Sequence, residues 1–439
     1  MYSLNNLHLE CNNKIKLNFH GGDLSSDSGL FLLKEFADKI GFHQTIKKFF
    51  KTEDKADRKH KDYDNLSQIL YQILAGYFND NDADELRNEP VLNVIHHKDG
   101  LASQPTLSRF FNRMDDSTLE QFDEILKALR ANVYSLEPPK RVLLDLDSTL
   151  LPAYGKQEGV NYNFHYGSNG YHPLVCYDGL TGDLLKVKLR NGSVYTSSDV
   201  VGFLQPILDE YEKNYPDTEI FLRADSGFAK PELYTQAETN GVSYVIRLKA
   251  NQTLYKLAET ATRRMDELTK DNKLDYAVIY DEFNYQAASW DYPRRVVVKV
   301  EKPSNQFTYQ YGFIVTNMDL SPKNILRLYN NRGRMENFIK EGKNGFNFSS
   351  TSSPRKIVNS NRLQVSALAY NLFNWFRRLV LPKSMNKMQI ETIRMKLIKI
   401  ASRITRSARY LIFKLCSSYP YKKEFIKTLE NIRSIPKLE

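Results

Sequence analysis

The stretch Arg141-Val142-Leu143-Leu144-Asp145-Leu146-Asp147-Ser148-Thr149 decides how this chain is read. Near-continuous apolar residues with few polar interruptions are what a strand covered on both faces requires. The strand closes on an aspartate followed by two hydroxyls. An acid in that place stands at one edge of a sheet, where it either caps a turn or joins other acids in a site.

Reading outward, Tyr171–Tyr177 and Leu184–Leu189 are expected to be two more strands. The turn-rich segment 178–183 (DGLTGD) would join them as a hairpin. Residues 197–213 have a helical pattern. Glu219–Ala224 reads as a strand that runs straight into Asp225-Ser226-Gly227, followed by a helix near Lys230–Thr239 and a strand at Ser243–Leu248. Three strands in a meander and then helix, strand, helix, strand give an α/β order with a mixed sheet. Residues 275–317 are β-rich, as in Arg295–Val300 and Tyr309–Val315, so the stretch between Leu248 and Tyr329 reads as an insertion.

Upstream of Arg141 the pattern is helical. Residues 1–20 resemble an extended arm broken by Gly21-Gly22. Leu30, Leu33, Phe36, Ala37 and Ile40 then form one stripe, with Gly41 where a helix would stop. Residues 51–64 are a mixed-charge run with no apolar face. Helices are expected over 65–78, over 106–114 after Pro105, and from the capping box Ser117–Glu120 to about Arg130. The segment Ser103–Arg113 suits either a DNA-reading helix-turn-helix or an ordinary core helix. Residues 360–416 read as helical and basic.

The chain has 439 residues, 41% of them hydrophobic, which is enough for a substantial core. No apolar run reaches the roughly 20 residues of a membrane helix. Residues 1–5 lack the pattern of a secretion signal. Cys11, Cys176 and Cys416 are isolated, which argues against a disulfide framework and a zinc site. The expected setting is a reducing cytoplasm. The net charge is +10, and residues 351–439, with 19 Lys/Arg against 4 Asp/Glu, exceed it alone. A basic segment on a mildly acidic body points to a polyanion, since Lys and Arg on phosphates release condensed counterions.

The sharpest motif lies at 329–343, YNNRGRMENFIKEGK. On one continuous helix Tyr329, Arg332, Glu336 and Lys343 would share a face about 60° wide, leaving Phe338 and Ile339 to pack. One carboxylate, two cations and a phenol on one face suit a phosphate beside a metal ion. His96-His97, His165 and His172 have no metal-ligand spacing.

Asp147-Ser148-Thr149, Asp225-Ser226-Gly227-Phe228 and the Y-x2-R-x3-E-x6-K spacing together resemble the insertion-sequence transposases of the DDE superfamily that carry the YREK signature. Residues 21–29 (GGDLSSDSG) and 170–174 (GYHPL) resemble one bacterial subgroup.

The resemblance implies an RNase H-like catalytic core, a mixed sheet flanked by helices, with a β-rich insertion in the 111 residues from Asp225 to Glu336 and helical N- and C-terminal regions. The expected divisions are a helical DNA-binding or dimerisation region at 1–137, the first part of the core at 138–248, the insertion at 249–320, the Glu-bearing helix at 321–350 and a basic helical region at 351–439.

It further implies Asp147, Asp225 and Glu336 as catalytic ligands of two Mg²⁺ ions, for which Mn²⁺ can substitute. Arg332 and Lys343 would hold phosphates and Tyr329 would hydrogen-bond one. Asp145 shares the strand face of Asp147, but the family pattern places the catalytic acid directly before the hydroxyl pair. Trp290 is either the tryptophan that stacks on a flipped base in some relatives or a core residue of a small β domain. The implied partners are the double-stranded DNA of transposon ends and of the target, with a homodimer on paired ends, in a bacterial cytoplasm and associated with the nucleoid. A non-catalytic DNA-binding derivative and an RNase H-like nuclease without strand transfer are the alternatives.

Overall fold

In the computed structural model the chain forms two compact units, one of residues 1–132, 345–347 and 368–439, the other of residues 133–344 and 348–367. The structure describes residues 7–53, 56–270, 276–304, 306 and 308–438. The reading of residues 1–5 therefore lies outside the described residues. Among the described residues no helix is long and apolar enough to cross a membrane.

The unit of 133–344 and 348–367 is built on one mixed sheet. Its strands are β1 (Arg141–Ser148), β2 (Leu174–Asp178), β3 (Leu184–Lys188), β4 (Glu219–Ala224), β5 (Ser243–Leu248), β6 (Ala277–Tyr285), β7 (Arg294–Lys302) and β8 (Gln310–Thr316). They lie in the order β6-β7-β8-β5-β4-β1-β2-β3. β1, β2 and β3 form an antiparallel meander, while β4 runs parallel to β1 and β5 parallel to β4. The order 3-2-1-4-5 with this polarity is the RNase H-like core. β1 is buried along most of its length, in keeping with its apolar run.

The stretch read as a separate insertion is corrected in form. β8 pairs antiparallel with β5, and β7 and β6 follow, so these strands extend the core sheet. Without them β5 would present an open edge to other chains. The stretch also contains the helices Gln252–Leu257 and Glu259–Thr269, the second packed on β6 and β7. Helices flanking the core include α1 (Val200–Asn214), α2 (Pro231–Thr239), α3 (Pro322–Asn330) and α4 (Gly333–Gly345).

The other unit is mainly helical. Leu30–Lys39 buries Leu30, Leu33, Phe36 and Ala37, and Gly41 follows with φ +70°. Gln104–Asn112 buries Leu107, Phe110 and Phe111. The expectation of continuous helix to residue 416 fails here. Ser402–Arg406 and Leu411–Leu415 form a hairpin, and Leu24–Ser25 pairs with its first strand. The second strand, Leu411-Ile412-Phe413-Lys414-Leu415, is a short apolar run, and a run of that length does not by itself separate strand from helix. Gly29 is required where the two ends of the chain meet: a Cβ there would lie 1.6 Å from the carbonyl oxygen of Leu397.

Candidate active site

The register of β1 and β4 sets the site. Asp145 stands beside Arg223 and Leu146 beside Ala224, so the next residues, Asp147 and Asp225, are brought together at one sheet edge. They share a cleft of about 410 Å³ with Ser148, Thr149, Tyr166, Arg332, Glu336, Ile339, Lys340 and Lys343. Asp147 accepts from the Ser148 amide at 2.8 Å through Oδ1, and its Oδ2 lies 2.7 Å from the Arg332 guanidinium. Asp225 accepts from the Gly227 amide at 2.8 Å through Oδ1, while Oδ2 lies 3.6 Å from the same guanidinium. Asp225 is thus both a turn cap and a member of the site.

Burial pushes the Asp147 carboxyl up to about 6; Arg332 opposes the shift and repulsion from Asp225 adds to it. Burial alone would lower the Arg332 guanidinium, but Asp147 and Asp225 raise it overall, so it stays a cation. One arginine holding two neighbouring carboxylates is an arrangement in which anion repulsion is balanced locally.

Asp145 has a different task. Both its oxygens accept from Arg223, at 2.6 and 2.5 Å, and Arg223 also donates to the Leu328 carbonyl at 2.8 Å. The two side chains are 0% and 1% exposed. A carboxylate with both oxygens engaged in a buried bidentate pair ties β1 to β4 and to the end of α3.

The signature residues do not lie on one uninterrupted helix, which corrects the single-face reading. α3 ends at Asn330 and α4 begins at Gly333. Across the break, backbone bonds run from Arg332 to Tyr329, Arg334 to Asn331 and Met335 to Arg332, the tight i to i−3 spacing. Asn330, Asn331 and Gly333 are poor helix formers, and Asn favours caps and turns. The break places Arg332 on the two aspartates.

On α4 Met335 and Ile339 are buried, Glu336 is exposed on the cleft, and Lys343 donates to the Leu150 carbonyl at 2.8 Å. Burial lowers the Lys343 ammonium, against the pull of Asp147. Tyr329 is half-buried against the cluster of Val245, Ile314 and Leu326.

Trp290 is not brought to the site. Arg295 is level with Thr316, Thr316 with Val245 and Val245 with Arg223. β7 runs parallel to β4, so Trp290, five positions before Arg295, lies toward the edge opposite Asp225. It is 7% exposed, with Tyr234 and Tyr285 edge-on at 5.2 Å and Arg294 over its ring. The core reading describes it, since a covered indole has no face left for a base.

Lys340 and Tyr166 were not legible in the sequence, and His172 was marked there only as a residue without metal-ligand spacing. Lys340 adds a cation to the cleft. His172 is buried, with one ring nitrogen 2.8 Å from the Val194 carbonyl and the other 2.9 Å from Ser148 Oγ. Since a carbonyl only accepts, Nδ1 carries the proton and Nε2 accepts from the serine. Burial lowers the His172 pKa, which favours this neutral form. Tyr166 donates to the Ser148 carbonyl at 3.1 Å. Both side chains therefore fix the residue that follows Asp147.

The donor set of Asp147, Asp225 and Glu336 is all carboxylate oxygen, which suits a hard divalent cation. As the side chains stand, no group of three acidic, imidazole or thiol side chains among the described residues is close enough to hold a metal ion. The Arg332 guanidinium lies on Asp147 and Asp225, so closing around a cation requires it to move.

Residues 7–437 match the family described as Transposase DDE domain group 1. The chain belongs to this transposase family. The match takes in both units of this transposase chain, with all three carboxylates and the whole YREK set. Domains of this kind generally use divalent metal ions. No curated protein matches the sequence. Among solved structures, the chain is similar to piggyBac transposase in a cryo-EM synaptic complex with hairpin DNA. The identity is 13%, the match covers 94% of this chain and 86% of that one, and the TM-score is 0.44.

Proposed function

We propose that the chain is a cut-and-paste DNA transposase that binds terminal inverted repeats, hydrolyses a phosphodiester at each end and joins the freed 3′-OH to target DNA. The observation that carries this reading is the side-by-side placement of Asp147 and Asp225, with Arg332 on both and Glu336, Lys340 and Lys343 in the same cleft. Membership of the transposase family supports it.

In this reading Asp147, Asp225 and Glu336 hold two Mg²⁺ ions, and Mn²⁺ can substitute. Bound there, they would stabilise charge on the attacking and leaving oxygens of an in-line displacement. Arg332 transfers from the carboxylates to a phosphate oxygen of the DNA. Lys343 and Lys340 hold neighbouring phosphates, and Tyr329 hydrogen-bonds another. His172 and Tyr166 keep the Asp147-Ser148 end of β1 in place. In the first step water attacks phosphorus and the bond to the 3′ oxygen breaks, leaving a 3′-OH and a 5′-phosphate. In the second that 3′-OH attacks a target phosphate and displaces its 3′ oxygen. Two ends must be held together, so the working form is a homodimer on paired ends. The expected setting is the nucleoid of a bacterial cytoplasm.

The test uses the purified chain, duplex DNA carrying the inverted repeats that flank its reading frame, Mg²⁺ and a target plasmid. Joined products are expected. Binding without cleavage would favour a non-catalytic derivative, and nicks without joining a nuclease of the same fold.

A further inference from the structure

A second groove opens on the same two aspartates. Its volume is about 570 Å³, and it shares Asp147, Ser148, Tyr166 and Asp225 with the catalytic cleft. Its distinguishing lining is aromatic: Tyr162, Phe164 and Tyr166 from one hairpin, and Tyr195 from a facing loop. These rings are not core residues. Phe164 is 90% exposed and Tyr195 61% exposed. An exposed phenyl ring gains nothing for the fold, and clustered exposed apolar groups beside a reactive centre mark a binding surface.

The groove is held rigidly. The hairpin strands Asn161–Asn163 and Ser168–Tyr171 are paired, and Asn163 Oδ1 accepts from the amides of His165 and Tyr166 at 3.0 and 3.2 Å. Asn163 also donates to the Gly192 carbonyl at 2.8 Å, which ties the hairpin to the facing loop. That loop is pinned by the buried Arg190, whose Nη1 donates to the carbonyls of Thr196 and Ser198 at 3.0 and 2.9 Å. The exposed rings thus project from a fixed frame. Lys249 lines the groove, and the Lys230 ammonium lies 5.6 Å from the centre of the Tyr195 ring, so the surroundings of the rings include cations.

Aromatic rings with cations alongside fit one kind of ligand in particular. In a duplex the flat faces of the bases are covered by their neighbours, leaving base edges and phosphates at the surface. Away from a duplex end, only an unpaired base offers a face to a phenyl or phenol ring. We infer that this groove stacks unpaired nucleotides of the DNA strand that continues from the phosphate held at Asp147 and Asp225. The inference rests on the DNA-cleaving reading of that site, and it assigns base stacking to the Phe164 hairpin and Tyr195 in place of Trp290.

The test is equilibrium binding of the full chain, with chelator present so that no DNA is cut. The probes are a blunt duplex and the same duplex with a single-stranded 3′ extension of about six nucleotides containing 2-aminopurine. The extension should tighten binding about tenfold and quench 2-aminopurine fluorescence, as stacking on a ring does. The double variant Phe164→Ala/Tyr195→Ala should lose both effects, keep wild-type affinity for the blunt duplex and melt at the wild-type temperature. Equal affinity of the wild type for the two probes overturns the inference, as does a double variant that keeps the advantage and the quenching. Binding to neither probe overturns the DNA-cleaving reading as well.

Discussion

Asp145 and Asp147 sit two positions apart on one strand and are separated in role by their partners. Asp145 is in a buried bidentate pair with Arg223, whereas Asp147 opens onto the cleft. Removing one member of a buried pair leaves the other charge uncompensated, at about 3–5 kcal/mol. Asp145→Asn should lower stability by that amount in denaturant melts, and Asp147→Asn should stay folded. The sequence alone could place both acids on one face but gave no sign that Arg223, two residues before Asp225, would claim the first. The Asp147 carboxyl also carries a pH dependence. Its pKa is raised to about 6, so it is protonated below that pH and ionised above it. A cation needs the ionised form, so binding weakens as pH falls through 6. Calorimetric Mn²⁺ affinity should be about tenfold lower near pH 5 than near pH 7.5. Equal affinities would argue against Asp147 as a ligand.

At the scale of elements, the break between α3 and α4 is the feature the residue spacing concealed. Four residues at helical spacing define a face only if the helix is continuous, and Asn331 and Gly333 interrupt it. Two glycines test how tightly α4 is built. A Cβ at Gly333 meets nothing within 4 Å, whereas one at Gly342 would lie 2.6 Å from the Phe348 ring. Gly333→Ala should be neutral or gain up to about 1 kcal/mol from helix propensity. Gly342→Ala should lose about 1–3 kcal/mol through overpacking. A thermal melt of each reads the contrast, and equal shifts would contradict the packing. Trp290 belongs to the same scale. Trp290→Ala should cost about 3–5 kcal/mol, as expected for a buried indole, while Trp290→Phe should retain DNA cleavage. The meander β1–β2–β3 and the strands β4 and β5 were legible because their apolar runs end in turn residues or in an acid. The hairpin Ser402–Leu415 was not, because Ser402–Arg406 sets its alternation among arginines in a basic stretch and Leu411–Leu415 is an apolar run too short to tell strand from helix.

For the whole molecule, composition carried real information. The excess of cations after residue 350 predicts a polyanionic partner, and the family supports the same expectation. Binding to duplex DNA should therefore weaken steeply with salt. A contact with six to ten phosphates implies a loss of about 10³-fold or more between roughly 50 and 200 mM, measured by fluorescence anisotropy. A flat response would argue that the basic segment faces something else. What composition could not supply was the division of the chain. Residues 368–439 join the N-terminal residues in one unit while 348–367 stay with the core, an arrangement set by long-range packing such as the contact of Gly29 with Leu397.

The central claim is that Asp147, Asp225 and Glu336 act together on one phosphodiester, and the most direct test is end cleavage and joining by four single variants. With inverted-repeat DNA, Mg²⁺ and target plasmid, Asp147→Asn, Asp225→Asn and Glu336→Gln should each fold, bind the DNA and give no cleaved or joined product. Trp290→Phe should give both. Product formed at the wild-type rate by any of the three carboxylate variants would contradict the account.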